Sequence, residues 1–74
     1  MTDFSRNLVT MRTKKGMTQE ELAKKARISQ GAIWQYENGV STPKIGIAVN
    51  IASALGTTCE ELMNGKVDAA NEQT

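Results

Sequence analysis

The chain has 74 residues, room for one small core whose stability depends on tight packing or association. It contains no histidine and one cysteine, Cys59, which excludes an internal disulfide and leaves no set of residues for a metal cluster or a catalytic dyad. Net charge is only +1, yet eight basic residues face four acidic ones through Ile45 (net +4), and one lysine faces four acidic residues from Gly46 onward (net −3). That asymmetry suits a domain that shows one face to a polyanion and turns the other away, although a solvated lysine-rich surface has the same charge count.

No apolar run approaches the roughly 20 residues that span a bilayer. Asp3 and Phe4 lie among polar neighbours with no basic region before them, so the N-terminus does not read as a signal peptide. The expectation is a soluble, cytoplasmic protein with no cofactor and no bound metal.

Phe4, Leu8 and Met11 recur at helical spacing, which predicts a first helix over residues 4–15 stopped by Gly16. Thr18-Gln19-Glu20-Glu21 is a capping box, in which the threonine hydroxyl takes the Glu21 amide and the Glu21 carboxylate reaches back. It opens a second helix from Gln19 to about residue 25. Arg27-Ile28-Ser29 breaks the pattern, and Ser29 caps a third helix over 30–37 that ends at Asn38-Gly39. Pro43 fits a helix entry, giving a fourth helix over 44–55 ended by Gly56. Thr58-Cys59-Glu60-Glu61 is a second capping box for a short fifth helix closed by Asn64-Gly65, and residues 66–74 read as a flexible tail. The class is therefore all-α, with one domain over residues 1–65.

Two helices with their own caps, joined by a turn of about three residues, meet the requirements of a helix-turn-helix between Gln19 and Asn38. Small Ala23 lets them approach closely, and Leu22, Ala26, Ile28, Ile33 and Tyr36 supply apolar contacts. With Ile33 and Tyr36 inward, Gln30, Gly31, Trp34 and Gln35 are left on the outer side of the third helix. Glutamine amides suit the N6 and N7 edge of adenine in the major groove. Trp34 has two open readings: contact with a thymine methyl or sugar, or packing over a neighbouring helix.

Residues 4–65 resemble the phage repressor and Cro (Xre) family of helix-turn-helix proteins, which have the five-helix lambda-repressor-like fold. The likeness runs through Phe4, Leu8, Met11-Arg12, Gly16 to Ala23, Ile28-Ser29-Gln30, Glu37-Asn38-Gly39, Pro43, Ala52 to Gly56 and Leu62. It implies binding to operator DNA, with Gln30 as the leading base reader and Gln35 as a second. Thr18 and Gln19 at the start of the second helix would hold phosphate, as helix N-termini do. Ser29, the Asn38-Gly39 corner and Lys44 would add contacts. Lys14, Lys15, Lys24 and Lys25 read as solvated or steering charges. The resemblance also implies an ion pair between Arg12 and Glu37. The chain departs from the family at Arg27, where glycine is usual; if positive φ is needed there, the side chain costs about 1 kcal/mol.

On the fourth helix, Ile45, Ala48, Val49, Ala52 and Leu55 form the expected core stripe. Ile47, Ile51 and Ala54 then form a second apolar strip, bordered by Cys59 and Met63, that reads as a homodimer interface unless the fifth helix or the tail covers it. The functional expectation is a regulator of transcription that binds a two-fold operator as a homodimer, most simply a repressor. The alternative is a module of the same fold that binds a protein partner, as an antitoxin does. An enzyme is not expected, since Cys59 has no evident base.

Overall fold

The computed structural model describes residues 3–64 and consists of five helices: α1 (Asp3–Lys14), α2 (Gln19–Ala26), α3 (Gln30–Glu37), α4 (Ile45–Ala54) and α5 (Cys59–Asn64). All five expected helices are present, with ends within one or two residues of those read from the sequence. The end of the expected domain at residue 65 and the tail over 66–74 lie outside the described residues. α2 packs against α3 and α4, α1 against α3 and α5, and α4 against α5. Phe4, Leu8, Leu22, Ala23, Ala26, Ile33, Tyr36, Ile51, Ala52, Leu55 and Leu62 are buried together in one core. The Phe4 and Tyr36 rings meet edge to face with centroids 6.4 Å apart.

Both capping boxes form. Glu21 N donates to Thr18 Oγ1 at 3.0 Å while Thr18 N donates to Glu21 Oε1 at 2.9 Å. At α5, Glu61 N donates to Thr58 Oγ1 at 3.1 Å, and the Thr57 hydroxyl also donates to the Glu61 carboxylate. At α3 the cap is the Ser29 hydroxyl, which accepts from Ala32 N at 3.1 Å.

One closing motif ends the first four helices. The amides of residues 17, 28, 40 and 57 each reach back five residues, to the carbonyls of Arg12, Ala23, Gln35 and Ala52, at 2.9 to 3.1 Å. The residue before each amide has left-handed backbone: Gly16, Gly39 and Gly56 at φ of 70° to 73°, and Arg27 at 63°. This is the Schellman arrangement, which satisfies the last helical carbonyls and asks for glycine at its turning residue. Arg27 is thus the non-glycine in a position that favours glycine, as its departure from the family implied.

α4 is turned differently from the expected arrangement. Ala48, Ile51, Ala52 and Leu55 face the core, whereas Ile45 is 75% and Val49 48% exposed. Ile51, expected on the outer strip as a dimer contact, is fully buried at 0% exposure and cannot offer its side chain to a second copy. The reason is compositional: the helix is apolar nearly all round, so periodicity fixes its helicity but leaves its rotation open. Ile47, Ala54 and Cys59 are half-buried against the core edge, and Met63 is exposed.

Candidate nucleic-acid interface

α3 is held by its inner face. Ile33, Tyr36 and Glu37 are buried, and Ser5, itself buried on α1, donates from its hydroxyl to the Tyr36 carbonyl at 2.6 Å. Gln30, Gly31, Trp34 and Gln35 are exposed on the opposite side, as the sequence predicts. Trp34 is 51% exposed, a large indole only partly covered by its own chain. The Gln35 side-chain oxygen accepts from Ser41 Oγ at 3.3 Å, which links the outer face to the loop after α3. The Asn38 side chain donates to the Trp34 carbonyl at 2.8 Å and finishes the helix, and both Asn38 and Gly39 are exposed.

The angle of α3 is fixed from below by Glu37, only 4% exposed. Arg12 donates to it twice, Nε to Oε2 at 2.5 Å and Nη2 to Oε1 at 3.2 Å, in the expected ion pair. A third donor was not foreseen: Gln19 Nε2 reaches Glu37 Oε1 at 2.9 Å. Arg12 also donates from Nη1 to the Met17 carbonyl at 2.7 Å, so one guanidinium ties α1 to α3 and to the turn before α2. The sequence shows three polar residues far apart in the chain. Only the fold brings them onto one carboxylate.

This geometry changes the view of Gln19. Its side chain is half-buried and committed by one N–H to Glu37. What α2 offers outward at its start is backbone, since the first amides of a helix precede the first intrahelical bond. Thr18 and Ser29 are exposed, each hydroxyl oxygen engaged as a helix cap. Lys44 is exposed at the N-cap of α4, whose start has no side-chain cap. Val40 is 62% exposed in the loop between α3 and α4, an apolar side chain that no periodic pattern singles out. No group of three or more metal-ligating residues is found among the described residues. No described helix is long and apolar enough to cross a membrane.

A short capped helix braced across a second, with a polar outward face and a buried inner one, defines a helix-turn-helix domain. The helix-turn-helix family profile matches residues 8–62, and the chain belongs to this family, in its phage-repressor (Xre) branch. A curated relative, the HTH-type transcriptional activator BcrR of Enterococcus faecalis, is 33% identical over 64 residues; the match covers 86% of this chain and 31% of that protein. The chain thus spans under a third of that relative's length. Among solved structures, the restriction-modification controller protein C.AhdI of Aeromonas hydrophila superposes with a TM-score of 0.80 at 28% identity, covering 82% of this chain and 92% of its own. The DNA-binding domain of the P22 c2 repressor superposes with a TM-score of 0.83 at 24% identity, covering 92% and 90%, a likeness of fold.

Proposed function

We propose that the chain binds double-stranded DNA in a sequence-specific manner, with α3 in the major groove, and so regulates transcription. The observation that carries this reading is the division of α3 into a buried flank of Ile33, Tyr36 and Glu37 and an exposed flank of Gln30, Gly31, Trp34 and Gln35. Gln30 and Gln35 then read base edges, Gln30 by paired bonds to adenine worth about 1 to 3 kcal/mol of discrimination. Backbone at Thr18-Gln19, Ser29 and the Asn38-Gly39 corner, together with Lys44, holds phosphates and sets the register. The family relatives named above support this assignment: one is named a transcriptional activator, and another a repressor with a DNA-binding domain.

Two copies act together on a two-fold operator, because one short helix contributes few base contacts and pairing multiplies them. Apolar side chains outside the core, Ile47, Ala54, Cys59 and Met63 with exposed Val49, supply the contact between copies. Repression follows most simply, since a domain seated in the groove of a promoter excludes polymerase. The site of action is the cytoplasm, where that DNA lies.

Selection of bound duplexes from a random library tests the reading. An enriched motif of two related half-sites, with affinity that falls steeply as salt rises, is the expected result. Failure to enrich any sequence would refute it and favour a module that binds a protein partner.

A further inference from the structure

We propose that the hollow between the end of α2 and α4 receives carboxylate side chains from an acidic segment of a partner protein, on a surface separate from the outer flank of α3. This goes beyond the DNA-binding reading and does not rest on it.

The hollow is lined by Lys25, Ala26, Arg27, Asn50, Ser53 and Ala54 and has a volume of about 540 Å³. Lys25, Arg27, Asn50 and Ser53 all bring side-chain donors, and no carboxylate lines it. Ala26 is buried and Ala54 half-buried, and their small side chains leave the space open. Lys25 also lines an adjoining groove with Lys15 and Lys24, so positive charge continues along α2 to the turn after α1. Glu21, the acidic residue of that groove, is engaged in the cap at Thr18. Among the described residues, Lys15, Lys24, Lys25 and Arg27 make no ion pair and no side-chain hydrogen bond. The carbonyls that end α2 would repel an anion, but they are taken up: Arg27 N donates to the Lys24 carbonyl at 3.2 Å and Ile28 N to that of Ala23 at 2.9 Å.

Arg27 supplies a second, independent indication. Its φ of 63° belongs to the closing motif that Gly16, Gly39 and Gly56 fill at the other helix ends. Glycine would make that turn without strain, whereas the exposed Arg27 side chain gains no partner among the described residues to offset it. Strained backbone of this kind persists where a residue serves a function, and a guanidinium grips a carboxylate through its paired, forked contact. Lys25, the Asn50 amide and the Ser53 hydroxyl add donors for a second acidic group. The volume is many times the roughly 30 Å³ of one water molecule, too large for a single small anion and suited to side chains of a flexible segment. A DNA duplex is a rigid convex rod, and no residue of α3 lines this hollow.

The test selects peptides from a random displayed library on the full chain, then titrates the selected peptides into isotope-labelled protein followed by NMR. The expected peptides are rich in aspartate and glutamate, shift the amide signals of Lys25, Arg27, Asn50 and Ser53, and stop binding when their acidic residues become asparagine and glutamine. Arg27→Gln is expected to weaken binding about tenfold, the loss of one charge-assisted contact. Arg6→Gln makes the same charge change on the exposed surface of α1 and is expected to leave affinity within about twofold. Arg27→Gly relieves the backbone strain and is expected to lose affinity as Arg27→Gln does, which separates a lost contact from a lost fold. Failure to enrich acidic peptides, shifts centred on Gln30 and Gln35, or equal weakening by Arg6→Gln and Arg27→Gln would overturn the proposal. Displacement of a selected peptide by duplex DNA of arbitrary sequence would assign the hollow to phosphate and overturn it as well.

Discussion

Arg12 and Glu37 are 25 residues apart in sequence and joined by two side-chain hydrogen bonds, Nε to Oε2 at 2.5 Å and Nη2 to Oε1 at 3.2 Å. The pair matters because Glu37 is buried at the end of the recognition helix while Arg12 belongs to α1. Removing the arginine leaves Gln19 as the one side-chain donor to the carboxylate among the described residues, and breaking a buried pair costs about 3 kcal/mol. Arg12→Ala is therefore expected to destabilise the fold by about that amount in denaturant unfolding. Losses from Arg12→Ala and Glu37→Ala should be strongly non-additive, since the second change removes the orphan left by the first. Additive losses would show that the two side chains do not act on one another.

Arg27 sits at φ 63° in a motif that Gly16, Gly39 and Gly56 fill elsewhere in the chain. Left-handed backbone costs an ordinary L-residue about 1 to 2 kcal/mol, and the extra freedom of glycine in the unfolded chain offsets part of the gain. Arg27→Gly should raise stability by about 0.5 to 1 kcal/mol, read as a higher melting temperature. An unchanged or lower melting temperature would mean that the Arg27 side chain makes a compensating contribution.

Gly31→Ala should separate stability from binding. A Cβ there has open space, so alanine should stabilise α3 by about 0.5 to 1 kcal/mol. The same methyl intrudes on the face assigned to DNA, so affinity for a selected duplex should fall. The opposite signs, measured on one preparation by thermal melting and by titration, distinguish a functional glycine from a merely tolerated one.

Glu61 gives the fold a pH dependence. The Thr57 hydroxyl foremost, then the Thr58 amide and hydroxyl, hold its carboxyl below the ordinary value of 4.5. A group whose pKa is lower in the folded state stabilises the fold above its unfolded value and loses that contribution as pH falls through the folded one. The advantage of the wild type over Glu61→Gln should thus be present in neutral buffer and shrink in acid below about pH 4.5. A constant difference in melting temperature across that window would contradict the assignment.

Much of the fold was legible because its signals are local. The capping boxes at Thr18 and Thr58, the Ser29 cap and the closing glycines each act within a few residues, so helix starts and ends could be read directly. The outward flank of α3 was legible for a related reason: Ile33 and Tyr36 lie three residues apart on one side of the helix, which leaves Gln30, Gly31 and Gln35 on the other. α4 had no such contrast. With isoleucine, valine, alanine and leucine around most of its circumference, the burial of Ile51 and exposure of Ile45 and Val49 were set by packing against α2 and α5. The Gln19 to Glu37 bond was hidden for another reason, since no spacing rule relates polar residues 18 positions apart.

The most direct measurement is the affinity of the wild type and Gln30→Ala for a selected duplex and for its variants changed one base pair at a time. If α3 reads bases through its exposed flank, Gln30→Ala loses about 1 to 3 kcal/mol of discrimination at a single A·T pair in each half-site and keeps its preferences elsewhere. Equal weakening on every duplex, or a base preference identical to that of the wild type, would contradict direct readout by this helix.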